Sequence, residues 1–215
     1  VLLIREESLG DYKRYVENNL SAILTDVALP VRERANILYD TAQQTMKDLL
    51  ASLDAEEIKK RSANLVNNMI DFQKREPWSF RCLLHVASFD YYVYTHSLNV
   101  FTFATALAMR MGFEGDELQQ VSMGALLHDL GKGEIDPTIL NFPGKLNESQ
   151  WTEIKKHPVF GCERLAKENG VSRIVQVPIN PLQVTEKRIN ATGRLEKYQH
   201  LSIAAPHHTS LRCTT

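Results

Sequence analysis

The chain has no long apolar run and no excess of charge of one sign. None of its apolar stretches reaches the roughly 20 residues that a membrane-spanning helix needs, and no signal-peptide pattern is present. The 25 Lys and Arg residues balance 26 Asp and Glu residues, so the net charge is -1. This balance leaves no general electrostatic footprint for a nucleic-acid polymer or an anionic membrane. Any anionic ligand must therefore be held by local charges.

Cysteine is also scarce. The three cysteines, Cys82, Cys162 and Cys213, are odd in number and widely spaced, which favours reduced thiols over a disulfide framework or a zinc site. We therefore expect a cytoplasmic protein. With 215 residues, of which 43% are hydrophobic, the chain can bury a core as one domain with or without an appendage. Because its first residue is Val1 and not Met, we expect the chain to begin inside a longer protein.

Helical periodicity dominates up to about residue 170, and no alternating strand pattern competes with it. The stripe through Tyr12, Tyr15 and Leu20 predicts a short N-terminal helix with Ser8 as its N-cap. Capping boxes are predicted later in the chain, at Asp54 with Glu57 and at Asn147 with Gln150. The pattern thus predicts an all-α fold, with a loop over residues 134–146.

An adjacent His128-Asp129 pair ends one of these helices and is followed by Gly131 and Lys132. Asp116 is predicted to cap the start of this helix, and Gly131 suits the C′ position after its end. Histidine and aspartate are metal-ligand types, so the tip of the helix is a candidate site. The alternative for the pair is a partly buried histidine beside a surface aspartate.

Two further histidines occupy comparable positions. His96 is predicted on the apolar face of a long helix over residues 88–111, aligned with Val100, Phe103 and Leu107. His157 is expected at a helix junction, because Pro158 follows it.

Together, His96, His128, Asp129 and His157 suit an inward-facing site for a divalent ion such as iron, manganese or zinc. Without a local ligand motif, core histidines remain the alternative reading. For Lys132 the alternative is a solvated lysine placed favourably at a helix C-terminus.

Four segments resemble successive motifs of the HD-GYP domain, a branch of the HD phosphohydrolase superfamily. They are Tyr94-Thr95-His96-Ser97-Leu98-Asn99-Val100, residues 124–132 with their HDLGK core, residues 139–146 and Lys156-His157-Pro158 with Gly161. The resemblance covers roughly residues 30–170. It implies an HD-type helical bundle, a metal centre that usually holds iron or manganese, and hydrolysis of cyclic di-GMP with metal-activated water.

Carried over residue by residue, the resemblance makes His96, His128, Asp129 and His157 metal ligands, with Asp129 bridging two ions. It makes Asp129 and Lys132 the catalytic residues, with Lys132 binding the substrate phosphate. Some family members have a glutamate one turn before the first ligand histidine, which helps to hold a third metal. Here Tyr92 takes that place, so the expected centre has two metals.

The resemblance stops after His157. Members of the family continue with a His-His-Glu segment, a Gly-x-Gly-Tyr-Pro loop and a helix bearing an Asp ligand, whereas residues 158–215 contain no Asp at all. Residues 1–29 are accordingly predicted as an N-terminal helical segment that ends a preceding region, 30–170 as the HD-GYP-like domain, and 171–215 as an irregular tail. The tail is either native divergence in a degenerate member or the product of truncation or an altered reading frame.

Three functions follow from these features. The first is a metal-dependent phosphohydrolase of the cyclic di-GMP phosphodiesterase type, incomplete on its C-terminal side. The second is a non-catalytic signalling module that binds a nucleotide or a protein partner, and the third is an HD phosphohydrolase acting on another nucleotide. Expected partners are a cyclic dinucleotide or other nucleotide, and a second copy of the chain or a signalling protein.

Overall fold

A computed structural model of the protein describes residues 5–76, 78–87 and 93–166, and within these ranges it contains helices and no strand. The predicted all-α fold is confirmed. The α-helices of the described ranges are α1 Leu9–Asn18, α2 Leu20–Thr25, α3 Val31–Ala51, α4 Ala55–Arg75, α5 Ser79–Val86, α6 Val93–Arg110, α7 Gly115–Leu127, α8 Pro137–Leu140, α9 Glu148–Ile154 and α10 His157–Ala166, and 3-10 helices span Glu6–Ser8 and Leu130–Glu134. The predicted tail over residues 171–215 and the predicted helix start at Ser88 lie outside the described residues.

The two longest helices of this part of the chain, α3 and α4, form the centre of the bundle. Helix α3 packs against α5 and α6, and α4 packs against α7 and α10. The buried residues of both helices recur at helical spacing, and Leu53, which lies beyond the end of α3 at Ala51, is 68% exposed. The largest fully buried side chains are Tyr39, Phe72, Phe101, Leu20, Leu38, Met46, Leu49, Ile58, Met69, Leu83, Leu98 and Leu118.

Helix α4 begins with a side-chain cap. The carboxylate of Asp54 accepts hydrogen bonds from the backbone N–H groups of Glu56 at 2.9 Å and Glu57 at 3.1 Å. In the predicted capping box, the side chain of Glu57 would accept a hydrogen bond from the Asp54 N–H. In the structure this N–H donates instead to Ser52 Oγ at 3.2 Å. Two of the N–H groups that a helix N-terminus leaves unpaired are thereby satisfied.

Replacing Asp54 with alanine should lower the free energy of unfolding by about 1 kcal/mol, because both N–H groups lose their acceptor. Urea denaturation followed by circular dichroism measures this change. Ser8 provides the control, since it precedes α1 at the same position but makes no side-chain cap bond. A Ser8→Ala variant that loses as much stability as Asp54→Ala would contradict the assignment.

The predicted N-terminal helix is in fact two helices, α1 and α2, and the chain turns between them at Asn19. This turn interrupts the expected stripe. Tyr12 and Tyr15 are 47% and 63% exposed, whereas Leu20 and Leu24 are buried in the same core as α3 and α4. The prediction failed because a single helical period was extended across a turn that has no glycine or proline to mark it.

Helix α6 buries a different face from the predicted one. Phe103 and Leu107, which align with His96, are 41% and 60% exposed, whereas Leu98 and Phe101 are fully buried. Helix α6 carries apolar side chains on several sides, so their spacing does not identify the buried face. Packing against α3 and α7 determines which side is buried. Neither α6 nor any other helix in the described ranges is long and apolar enough to cross a membrane.

Both predicted ends of α7 are corrected. The helix starts at Gly115, one residue before the expected cap Asp116, and the carbonyl of Glu114 accepts the first helical hydrogen bond from Leu118. Asp116 therefore lies inside the first turn, where its charge favours the helix dipole. At the other end α7 stops at Leu127, and Gly131 lies within the following 3-10 helix instead of at a C′ position.

The predicted break before Pro158 is confirmed. Helix α9 ends at Ile154 and α10 begins at His157, so the histidine is the first residue of its helix. The predicted capping box of Asn147 with Gln150 is present in both directions at the start of α9. The expected loop over residues 134–146 contains the short helix α8, which the side chain of Asp136 caps.

Candidate metal centre

The structure brings the five predicted site residues together around one buried carboxylate. His96 lies in the first turn of α6, and His128 directly follows the last residue of α7. Asp129 comes next, Lys132 lies in the 3-10 helix, and His157 opens α10. Three separate helix ends therefore meet at Asp129, as expected for a site built in the core of a helical bundle.

The two oxygens of the Asp129 carboxylate face different neighbours. Oδ2 lies 2.6 Å from Lys132 Nζ, 3.2 Å from His128 Nε2 and 3.9 Å from His96 Nε2. Oδ1 lies 3.4 Å from Nε2 of His157. Among the described residues, His96, His128 and Asp129 also form a group whose donor atoms all lie within 4.8 Å of one another. The carboxylate thus has one oxygen on each side of the site.

Backbone carbonyls fix the orientation of two of the imidazoles. His128 Nδ1 lies 2.8 Å from the carbonyl oxygen of Ala125, and His157 Nδ1 lies 2.7 Å from that of Ile154. A carbonyl oxygen only accepts, so each Nδ1 must carry a proton and donate it. In a neutral ring of this tautomer, Nε2 would present a lone pair to the Asp129 carboxylate, which also only accepts. Such an arrangement needs a proton or a metal ion between the facing atoms.

The electrostatics keep Asp129 ionised. Burial alone would raise the pKa of this carboxyl group, but the His128 hydrogen bond and the Lys132 ammonium outweigh burial and hold the pKa well below its ordinary value. Burial likewise opposes the charged form of His128, yet Asp129 raises the pKa of that ring overall. For His96 the effect of burial prevails over Asp129, so the pKa is lowered and the neutral ring is favoured.

This donor set fits a divalent transition metal. Neutral imidazole nitrogens and a carboxylate oxygen are ligands for iron, manganese and zinc. Hydrogen bonds from the far side of a ligating imidazole to a backbone carbonyl are a regular feature of metal sites, because they hold the ring in one tautomer and orientation. The predicted alternative, core histidines, does not describe His96, whose side chain is 58% exposed.

The local backbone conformation places the Lys132 side chain beside Asp129. The turn from Asp129 is closed by a hydrogen bond from the Lys132 N–H to the Asp129 carbonyl at 2.9 Å, which returns the lysine side chain over the carboxylate. The lysine side chain is 22% exposed, and its ammonium group donates a hydrogen bond to Asp129 Oδ2. The predicted alternative of a solvated lysine at a helix C-terminus does not describe this side chain, which is paired with a buried carboxylate. His85 lies exposed on α5, outside the predicted motifs.

Comparison with known sequences places these residues in a family. The family model of the HD domain matches residues 93–209, of which those from 167 onwards lie outside the described part. The chain is 29% identical over 132 residues to the cyclic di-GMP phosphodiesterase PA4108 of Pseudomonas aeruginosa, covering 61% of this chain and 31% of that protein. It is 26% identical over 151 residues to the cyclic di-GMP phosphodiesterase response regulator RpfG of Xanthomonas campestris, covering 69% and 35%.

A third curated relative and a solved structure complete the comparison. The chain is 33% identical over 82 residues to the 3'3'-cGAMP-specific phosphodiesterase 2 of Vibrio cholerae, covering 38% of this chain and 15% of that protein. Bd1817, a HDG"Y"P protein from Bdellovibrio bacteriovorus, shares the fold with a TM-score of 0.66 at 20% identity, over 88% of this chain and 62% of that one.

The chain spans about a third of the length of the first two curated relatives. Their names and that of the solved structure confirm the resemblance to HD-GYP proteins that the motifs predicted. Since the family model matches more than half of its residues, the chain belongs to the HD domain family.

Proposed function

We propose that this chain is a metal-dependent phosphodiesterase domain that hydrolyses a cyclic dinucleotide. The observation that carries the proposal is the convergence of three imidazole Nε2 atoms and one ammonium group on the buried carboxylate of Asp129. The HD domain family is metal-dependent, and this site has the donors that such a metal needs. In this proposal His96, His128, Asp129 and His157 are the metal ligands.

The two oxygens of the Asp129 carboxylate face different histidines, which supports a centre with two ions. One oxygen faces His96 and His128, whereas the other faces His157. A carboxylate with donors on both sides is suited to bridge two divalent ions, and we propose iron or manganese for both positions. When bound, such ions activate water for attack and neutralise the charge that grows on the phosphoryl oxygens.

Lys132 is proposed as the group that binds the scissile phosphate. Its ammonium lies 2.6 Å from Asp129 Oδ2, and its side chain is partly exposed, so its positive charge lies beside the proposed metal ligands. An ammonium is a compact point charge that stabilises phosphate oxygens without needing a fixed planar geometry. Asp129 has the complementary task, because its carboxylate accepts a hydrogen bond from the Lys132 ammonium and holds that group near the reacting phosphate.

The relatives indicate the substrate class. Two of them are named cyclic di-GMP phosphodiesterases, and another is named a 3'3'-cGAMP-specific phosphodiesterase. We therefore propose a cyclic dinucleotide as substrate, with cyclic di-GMP first. A cytoplasmic location is proposed on the small number and wide spacing of the cysteines, and a second copy of the chain or a signalling protein is proposed as partner.

Metal content and turnover of the same sample test the proposed function. We expect the chain, loaded anaerobically with Fe²⁺ or with Mn²⁺ and then desalted, to retain at least one ion and to convert cyclic di-GMP or 3'3'-cGAMP to a linear product. His128→Gln should lose both properties. His85→Gln, which changes an exposed histidine outside the site, should keep both.

The outcomes separate the three candidate functions. Retained metal without turnover of either dinucleotide, together with hydrolysis of another nucleotide, would assign a different substrate. Nucleotide binding by both the unaltered chain and His128→Gln, with no hydrolysis by the unaltered chain, would establish the non-catalytic module. A chain that holds no metal under either loading condition would contradict the proposed metal centre itself.

A further inference from the structure

Arg164 on α10 is a buried arginine that the proposed chemistry does not use. Its side chain is 3% exposed and is surrounded by backbone carbonyl oxygens. Nη2 donates to Leu50 at 2.9 Å, to Leu49 at 3.1 Å and also to Ser52, while Nη1 lies 3.4 Å from the carbonyl oxygen of Leu130. One guanidinium group on α10 thus contacts two separate stretches of backbone, residues 49–52 and Leu130.

The carbonyls on one side belong to the C-terminal end of α3. Leu49 and Leu50 lie in its last turn, and Ser52 follows it directly. The last carbonyls of a helix have no partner within the helix and mark the negative end of its dipole, so a cation is favourable there. Arg164 therefore caps α3 from a different helix.

The carbonyl on the other side belongs to the metal centre. Leu130 is the residue directly after Asp129 and the first residue of the 3-10 helix. Arg164 also lies seven residues, or about two helical turns, after His157, so both side chains leave α10 on similar sides. The same guanidinium is consequently linked to the two segments that carry Asp129 and His157.

Simple packing does not require a charge at this position. Burying an arginine costs free energy that an apolar side chain of similar volume would avoid. The nearest carboxylate, that of Glu134, is 3.8 Å away and 43% exposed, and Arg164 Nε has no hydrogen-bond partner among the described residues. What the arginine supplies, and a methionine would not, is a fork of donors that fixes several carbonyls relative to one another.

We propose that Arg164 is a positioning residue for the metal centre, which holds the 3-10 helix Leu130–Glu134 and α10 in register so that Asp129 faces His157. This inference rests on the metal site proposed above, in which Asp129 and His157 are ligands. Loss of Arg164 should leave all ligands present but misplaced, which lowers metal affinity without removing a donor.

The test compares two buried arginines by titration with Mn²⁺ alone, monitored by loss of the EPR signal of the free ion. Arg164→Met should weaken Mn²⁺ binding by about tenfold or more, as removal of an outer contact of a metal site does. Arg164→Lys, which keeps the charge but not the fork, should recover part of the affinity. The control is Arg34→Met, because Arg34 is 5% exposed and likewise bonds the carbonyls of Leu24 and Leu29, with Glu76 as its ion-pair partner.

A second measurement does not depend on metal. Amide hydrogen exchange of residues 130–134 should accelerate in Arg164→Met and in Arg164→Lys but not in Arg34→Met, even though both methionine variants lose stability. Unchanged Mn²⁺ affinity and unchanged exchange in both Arg164 variants would overturn the proposal, as would an equal effect of Arg34→Met. If Arg164→Met does not fold, Arg164→Lys decides the outcome alone.

Failure of this inference is distinguishable from failure of the proposed function. If Asp129→Asn abolishes Mn²⁺ binding while the Arg164 variants bind normally, the metal site stands and Arg164 has no positioning role. If Asp129→Asn binds Mn²⁺ as the unaltered chain does, the metal site itself is wrong.

Discussion

Replacing Gly131 with alanine should destabilise the chain by about 3 kcal/mol, at the upper end of what overpacking of a core costs. A Cβ at this position would overlap the carbonyl oxygen of His157 and the backbone nitrogen of Gly161, and would lie 2.9 Å from the carbonyl carbon of His157. All three are backbone atoms, so no rotation of a side chain can relieve the clash. To make room, α10 must move away from the 3-10 helix.

That movement would also damage the proposed metal centre. The clash falls on His157, whose Nε2 lies 3.4 Å from Asp129 Oδ1, so displacing α10 separates these two proposed ligands. We therefore expect Gly131→Ala to weaken Mn²⁺ binding in addition to lowering the free energy of unfolding. Urea denaturation gives the first effect, and Mn²⁺ titration of the folded protein gives the second.

Gly10 is the matched control. It lies in the exposed helix α1, and a Cβ there would meet nothing within 4 Å. Gly10→Ala should raise the free energy of unfolding by up to about 1 kcal/mol, because alanine is the better helix former. If Gly131→Ala is as stable as the unaltered chain, the close approach of the two backbones is wrong.

Gly131 also illustrates a role that local sequence patterns do not predict. A glycine after a helix fits a C′ position in local terms, and that prediction needs no tertiary information. The structure gives the residue a different role, because its missing side chain allows α10 to approach, and Gly161 meets it from the other helix. Two glycines thirty residues apart carry no local pattern that reveals their contact.

The site residues differ in how far their positions can be predicted from their neighbours in the sequence. His157 was placed at a helix junction by Pro158, a constraint that acts on the adjacent residue alone. His96 was assigned to the apolar face of α6, yet its side chain is 58% exposed, because the packing partners choose the face of a helix that is apolar all round. Helix positions and the resemblance of the HDLGK and related motifs together predicted the grouping of these residues, and the structure places them around one carboxylate.

Arg164 had no signal in the sequence. An arginine in an amphipathic helix is ordinarily solvated, and only the tertiary structure shows that the end of α3 and the 3-10 helix close around this one. The carbonyls of Ala125 and Ile154, which orient His128 and His157, are equally invisible because every residue has such a group. The motifs thus predicted the side chains that surround Asp129, whereas the groups that contact and orient these segments are found only in the folded structure.

Asp129→Asn should lower Mn²⁺ affinity by more than about 100-fold, which exceeds the usual loss for a residue in the outer shell of a metal site. Asparagine keeps the size of the side chain but removes the charge that attracts a cation and replaces one acceptor oxygen with an amide NH₂ group. That group faces either Lys132 and His128 on one side or His157 on the other, and in each case it puts a donor where a ligand is needed. Cyclic dinucleotide hydrolysis should fall with the metal.

Asp116→Asn is the control for the change in charge, since Asp116 lies exposed in the first turn of α7, the helix that leads to His128. It should bind Mn²⁺ as the unaltered chain does. Circular dichroism of Asp129→Asn should show an intact helical fold, because the substitution changes no volume in the core. A folded Asp129→Asn chain with unaltered Mn²⁺ affinity would show that the three imidazoles converge on this carboxylate for structural reasons, as a hydrogen-bonded cluster that holds the ends of α6, α7 and α10 together.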